Sequence, residues 1–316
     1  MQVPLDLAAI RTAHERIRPY IHRTPILSSS RLNEACGGLL FFKCENLQKV
    51  GAFKARGATN AVFALDEATA RLGVATHSSG NHAQALARAA KLRGIPAYIV
   101  MPSNSARVKI RAVEGYGGTI VFCEPTQDAR EKTCADLVAE TGATMIHSFE
   151  NVDVMAGQGT AVLELLEEIP DVDLVVCPVG GGGLLSGTAV AAKGTRANIR
   201  VVATEPKNVD DAAQSFRAGH RIRTAGGNTI ADGLRTNIGE PNFTIIRRYV
   251  DDIVTVTEEG IVAAMRTIWE TMKIIVEPSA AVAYAAIIEN RFDVRDYRVG
   301  IIVSGGNVDL DLLPWK

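Results

Sequence analysis

The sequence is short of several things, and each shortage narrows the reading. Its five cysteines, Cys36, Cys44, Cys123, Cys134 and Cys177, are odd in number and contain no CxxC pair. They suit neither a disulfide framework nor a metal cluster, and read as reduced thiols of a cytoplasmic protein. No uncharged apolar stretch reaches the ~18 residues that a membrane helix needs. Met1 to Asp6 lack the charged-then-apolar pattern of a secretory leader, so neither export nor a membrane partner is expected. Basic runs interleaved with aromatics are missing, and the formal net charge is -1. Nucleic acid is therefore not an expected partner. The positive charges between Arg196 and Arg200 and between Arg217 and Arg223 are dispersed, as on a solvated face. There is no internal repeat, low-complexity tract or long linker.

What is present is a long, apolar chain: 316 residues, 47% of them hydrophobic. That suffices for two packed units. From Val74 onward, strands alternate with helical patterns. Strands are predicted at Val74 to His77, Ala97 to Met101 and Thr119 to Cys123, closing at Met145 to His147. Helices fall between them at Ala83 to Lys91, Arg107 to Val113 and Arg130 to Glu140. A second series starts near Gly157, with helices at Gly159 to Glu168, Ile261 to Lys273 and Ala280 to Ile288. Its strands are Leu174 to Val179, Arg200 to Thr204 and Val299 to Val303. Repeated β-α units imply α/β architecture with parallel sheets flanked by helices. The residues before Val74 can pack with either series.

Four segments carry chemistry. In Gly51-Ala52-Phe53-Lys54-Ala55-Arg56-Gly57-Ala58, one lysine stands beside a phenylalanine among small residues. In a tight apolar pocket such a lysine is partly neutral and can form a Schiff base with an aldehyde or ketone; otherwise it is an ordinary helix lysine. Gly180-Gly181-Gly182-Gly183 follows a strand and opens a helix. It is either a cup of backbone N–H groups for a phosphate or a glycine-rich packing turn. The dinucleotide GxGxxG pattern fails there, and Thr188 stands where the nucleotide pattern GxxxxGK[ST] needs its lysine. Ser78-Ser79-Gly80-Asn81-His82 either grips a carboxylate or caps the next helix. Ser304-Gly305-Gly306-Asn307 ends the last strand, either as a ligand-bonding edge or as a plain turn. Together, a Schiff-base lysine, a phosphate cup and a partner for a ring nitrogen fit pyridoxal 5'-phosphate. A nucleotide-binding module using the Gly180 loop is the alternative from another class.

These segments, with Lys43-Cys44-Glu45-Asn46-Leu47-Gln48, occur in the order seen in serine racemases and serine/threonine dehydratases. The chain resembles that family of fold type II pyridoxal-phosphate enzymes from about Ile10 to Leu310, and is similar also to 3-hydroxyaspartate dehydratases. The resemblance implies a discontinuous large domain, 1–65 and 153–316, and a small mobile domain, 74–149. It implies that Lys54 is the Schiff-base lysine and the base on one substrate face, with Ser79 on the other. Gly180, Gly181, Gly182 and Gly183 bind the phosphate, Ser304 bonds the ring nitrogen, Asn81 lies near the ring hydroxyl and Phe53 packs beside the ring. Ser78, Ser79, Gly80, Asn81, His82 and Arg130 face the substrate. Glu205, Val209 (through its carbonyl) and Asp211 match a site for Mg2+, or Ca2+ or Mn2+; capping of the next helix by Asp210 and Asp211 is the plainer alternative.

His147-Ser148-Phe149-Glu150 departs from the family's usual His-Pro-aromatic-acid stretch, and Ala55 stands where a bulkier residue is common. The chain ends at Lys316 without a regulatory extension, so feedback control is not expected. The implied protein is a cytoplasmic homodimer acting on a small amino acid. Its expected reaction is β-elimination from L-serine or L-threonine to a 2-oxo acid and ammonia, with serine racemisation at the same site. 3-Hydroxyaspartate is the alternative substrate. It requires a cation for its second carboxylate, for which Arg130, Arg235, His82 and the metal are candidates.

Overall fold

Strands that are apolar on both faces need cover on both faces, and the chain provides it. The computed structural model describes residues 3–105, 107–224 and 226–315. Met1, Gln2 and Lys316 lie outside it, so the terminal readings rest there on sequence alone.

One sheet has six strands in the order β1-β2-β10-β7-β8-β9. These are β1 (Ile26–Leu27), β2 (Leu39–Cys44), β7 (Leu174–Pro178), β8 (Arg200–Pro206), β9 (Asp252–Val256) and β10 (Arg298–Val303). All neighbours run parallel except the short β1–β2 pair. The second sheet is fully parallel, in the order β5-β4-β3-β6. Its strands are β3 (Val74–His77), β4 (Ala97–Pro102), β5 (Thr119–Cys123) and β6 (Thr144–Met145). Alternation sends Val175 and Cys177 of β7 into one core cluster, and Leu174 and Val176 into another, on the opposite face. Similarly, Val74 and Ala75 of β3 enter two separate clusters. This is the expected α/β architecture of two mostly parallel sheets flanked by helices. No helix among the described residues is long and apolar enough to cross a membrane, and all five cysteines are free thiols.

Two features fix the Lys54–Ala64 helix. Its Gly57 meets Gly157 of the Val152–Glu168 helix so closely that a β-carbon on Gly157 would lie 2.6 Å from Gly57 Cα. The glycines near 157 therefore do not start a helix, as the sequence suggested; they sit inside one, at a backbone crossing. Beneath the same helix lies a buried charge network. Arg56 donates to Glu45 at 2.7 and 2.9 Å and to Glu164 at 2.8 Å twice, and Lys43 donates to Glu164 at 2.7 Å. Two cations balance two anions, so this network leaves none of its own charges uncompensated. The Lys43-to-Gln48 segment thus has a structural role. Asn46 donates to the Ile275 carbonyl at 2.9 Å, and Gln48 exchanges hydrogen bonds with the His22 backbone at 2.7 and 2.9 Å.

Candidate active site

Parallel sheets present their ligand-binding loops at the carboxyl ends of strands. The Gly180 loop follows β7, the Ser304 turn follows β10 and the Ser78-to-His82 loop follows β3. Because β10 and β7 pair with Ile301 opposite Val176, the Ser304 turn lies beside the start of the glycine loop. Lys54 hangs on that turn. The Phe53 N–H donates to the Ser304 carbonyl at 3.0 Å, the Gly306 N–H to the Gly51 carbonyl at 2.9 Å, and Ala52 bridges Gly305.

Lys54 is the first residue of its helix and is half-buried. Its Nζ donates to the Ser148 carbonyl at 2.8 Å and lies 5.1 Å from the Phe53 ring centroid. Burial lowers its pKa to about 8, against the opposing charge of Glu277. The helix dipole at this end also disfavours a cation. A useful fraction of the amine is therefore neutral near pH 7.

The glycine loop is both packed and rich in donors. A β-carbon on Gly181 would lie 2.4 Å from the Phe149 ring, and Gly182 has φ +94, so the loop is indeed packed. It is also a row of free donors. Among the described residues, the first backbone N–H after Val179 to find an acceptor is that of Ser186, on the Gly182 carbonyl at 2.8 Å. Gly180 to Leu185 are buried, and buried N–H groups at a helix start call for an acceptor. These residues fit a bound phosphate. Ser304 is buried, and its hydroxyl has no hydrogen-bond partner among the described residues.

The Ser78-to-His82 loop does not cap its helix. The N-cap of the Asn81–Arg93 helix is Gly80, without a side-chain bond, and Ser78 Oγ accepts only the Gly80 N–H at 3.4 Å. Ser79 lies half-buried in the same turn. Asn81 donates to both oxygens of Glu277, at 3.1 and 3.2 Å, and accepts from Asn307 at 2.9 Å. His82 is buried, with Nε2 at 3.1 Å from the Ile146 carbonyl, so its proton sits on Nε2. Nδ1 has no partner, and burial pushes the ring's pKa down to about 3. That corrects the expectation that His82 can supply a cation for a second carboxylate. Arg235 is exposed and bonds the Thr229 carbonyl at 2.6 and 3.2 Å.

Arg130 is different. It is half-buried, its Nε is buried without a partner, and its charge helps to lower the pKa of His77, chiefly depressed by burial. The His77 and His147 rings lie 5.8 Å apart, and His147 Nδ1 accepts the Glu150 N–H at 3.1 Å.

Of the supposed metal residues, Glu205 and Asp211 lie close enough for their charges to act on each other, and the capping differs from the expected alternative. Glu205, rather than Asp210, caps the Asp211–Ala218 helix, accepting from Ala212 and Ala213 N–H at 3.1 and 2.9 Å. Asp211 accepts the Ile238 N–H at 2.7 Å. Burial raises both carboxyls, Asp211 to about 6, and Asp211 raises Glu205 further. Among the described residues no cluster of three His, Cys, Asp or Glu side chains is placed to hold a metal. A cation here would take two carboxylates, with carbonyls and water for the rest.

Sequence reasoning missed Glu277, the residue that binds Asn81. Its signal was short: an acid between Val276 and Pro278, at the start of an apolar helix.

Comparisons with known proteins identify the family. The family model described as pyridoxal-phosphate dependent enzyme matches residues 17–305. The serine racemase of Arabidopsis thaliana is 50% identical over 313 residues, covering 98% of this chain and 95% of that protein. The beta-hydroxyaspartate dehydratase of Paracoccus denitrificans is 50% identical over 304 residues, with 96% of each chain covered. The structure of maize serine racemase superposes with a TM-score of 0.95 at 48% identity, covering 97% of this chain and 94% of that one.

Proposed function

The chain belongs to the family of pyridoxal-phosphate dependent enzymes, and on that premise we propose that it converts a β-hydroxy amino acid to a 2-oxo acid and ammonia. L-Serine and L-threonine are the first candidates, with serine racemisation at the same site. The observation that carries this reading is the half-buried Lys54 amine, lowered to about 8, placed near a buried row of N–H groups that lack acceptors. The family leaves no ground for a nucleotide-binding module built on the Gly180 loop.

Pyridoxal phosphate, when bound, supplies a carbonyl for an imine and a ring that takes up electron density as the α-C–H bond breaks. The chain's own part is as follows. Lys54 Nζ would hold the cofactor, the N–H groups of Gly180 to Leu185 would hold its phosphate, and Phe53 would pack beside it. The Ser304 hydroxyl would be the partner for the ring nitrogen, and Asn81 would serve the ring hydroxyl. A serine is a neutral partner and does not keep that nitrogen protonated as a carboxylate would. Free N–H groups at the start of the Asn81–Arg93 helix, with Ser78 and Ser79, receive the substrate carboxylate. The Lys54 amine removes the α-proton from one face. Ser79 exchanges a proton on the other, which racemises the substrate. Loss of the β-hydroxyl as water, followed by hydrolysis, returns that water and releases ammonia.

Arg130 favours a second reading. An arginine without a partner beside the site suits a second carboxylate, as 3-hydroxyaspartate carries. The Paracoccus relative bears the corresponding name. Formation of 2-oxo acid from L-serine, D-serine, L-threonine and each 3-hydroxyaspartate isomer, with and without magnesium, tests both. Release from serine or threonine supports the first reading; release from a hydroxyaspartate alone replaces it with the second.

We also assign Glu205, the Val209 carbonyl and Asp211 to a magnesium ion, or calcium or manganese in its place. The segment 74–149, built on the four-stranded sheet, acts as a small domain that closes on 1–65 and 153–316. The protein works as a cytoplasmic homodimer, in keeping with its free cysteines.

A further inference from the structure

Glu277 is buried, 5% exposed, and its side chain makes no capping bond to its own helix. The backbone does the capping: the Glu277 carbonyl accepts from Ala280 and Ala281 N–H at 3.0 and 3.2 Å, while its own N–H donates to Gly305 at 3.0 Å. The carboxylate is thereby free for three donor contacts. Asn81 Nδ2 reaches its two oxygens at 3.1 and 3.2 Å, and the Asn307 N–H reaches Oε2 at 3.1 Å. Gly305 leaves room for it, since a β-carbon there would lie 2.7 Å from Oε1. Asn307 Nδ2 closes the ring, donating to Asn81 Oδ1 at 2.9 Å and to the Val50 carbonyl at 2.7 Å. Three pieces of chain meet here: the helix start after β3, the turn after β10 and the segment leading to Lys54.

We infer that Glu277 is a positioning residue for the reaction: as a carboxylate it orients the Asn81 amide, ties it to the Ser304-to-Asn307 turn, and sets the negative charge facing Lys54. This rests on the roles given above to Lys54 and Asn81. An asparagine amide can be turned either way; Glu277 accepts only from the nitrogen, so it selects one orientation. Its charge acts on Lys54 against the effect of burial. The other charged groups that act on it are Asp232, which raises its pKa, and Lys109, which lowers it. Burial is the largest influence and pushes the carboxyl up to about 7, against the hydrogen bonds from Asn81 and Asn307. Protonation turns one acceptor into a donor that faces donors. The tie therefore weakens as pH falls below about 7.

The test uses holoenzyme. Wild type, Glu277→Gln and Glu277→Asp are loaded with pyridoxal phosphate, and the absorbance of the bound cofactor is titrated against pH alongside kcat and KM. Removing the charge by Glu277→Gln is expected to lower the midpoint by roughly one pH unit and kcat by about tenfold or more. Glu277→Asp keeps the charge at shorter reach; its midpoint stays within about 0.3 unit of wild type while kcat falls. A folded, loaded Glu277→Gln protein with the wild-type midpoint and kcat would overturn the inference. If Glu277→Gln does not load, Glu277→Asp decides: a reduced kcat with an unmoved midpoint supports the role, and a wild-type kcat sinks it. A wild-type protein with no cofactor band would instead defeat the functional reading beneath it.

Discussion

Lys54 Nζ donates to the backbone carbonyl of Ser148 at 2.8 Å. The two residues follow strands of different sheets, β2 and β6, so the reactive amine ties the chain after one sheet to the chain after the other. The bond orients the amine, while burial lowers its pKa to about 8. Orientation and partial neutrality are both needed in a lysine that forms a Schiff base.

Ser79 is the proposed base on the face opposite Lys54. Ser79→Ala is expected to cut racemisation by about 100-fold or more and to leave elimination within a few-fold of wild type. Chiral analysis of residual serine, run beside the 2-oxo acid assay, separates the two. Racemisation at the wild-type rate in the variant contradicts the assignment.

Arg130 has a partnerless Nε and a half-buried side chain. If it meets a second carboxylate, Arg130→Ala raises KM for 3-hydroxyaspartate about 10- to 100-fold, the worth of a charge-assisted hydrogen bond. KM for serine then moves far less. Equal effects on both substrates would show that Arg130 does not discriminate side chains.

How much of this was legible in sequence depends on distance along the chain. Val74–His77 and Thr119–Cys123 have the bounds that their apolar runs predict, because strand and turn signals are local. The strand Leu39–Cys44 was not assigned, since its apolar run is broken by Lys43, whose partner Glu164 lies 121 residues away. Asp252–Val256 was missed because only Ile253 and Val256 are buried in it. The site motifs stood out as compact runs of unusual composition. Glu277 did not, because its function depends on Asn81, 196 residues distant.

His82 gives a pH prediction. Its pKa falls from the ordinary 6.5 to about 3 on folding, chiefly through burial. The unfolded chain therefore binds a proton that the folded chain refuses between those values. Stability from this group is complete above pH 6.5 and is lost progressively as pH falls toward 3. Between pH 6.5 and 5 that amounts to roughly 2 kcal/mol. Urea unfolding at pH 7 and pH 5 should show wild type losing about that much more than His82→Gln. Equal losses would show that His82 is not the titrating group.

The cation assignment predicts that EDTA lowers Tm by several degrees, that magnesium restores it, and that Asp211→Asn abolishes the response. The same chelator effect in Asp211→Asn would place the ion elsewhere.

The central claim is that Lys54 carries the cofactor. Borohydride reduction of the protein loaded with pyridoxal phosphate, followed by proteolysis and peptide mass mapping, tests it most directly. The reduced adduct is predicted on the peptide containing Lys54 and to vanish in Lys54→Ala. An adduct on a different lysine, or none in protein that has taken up the cofactor, would contradict it.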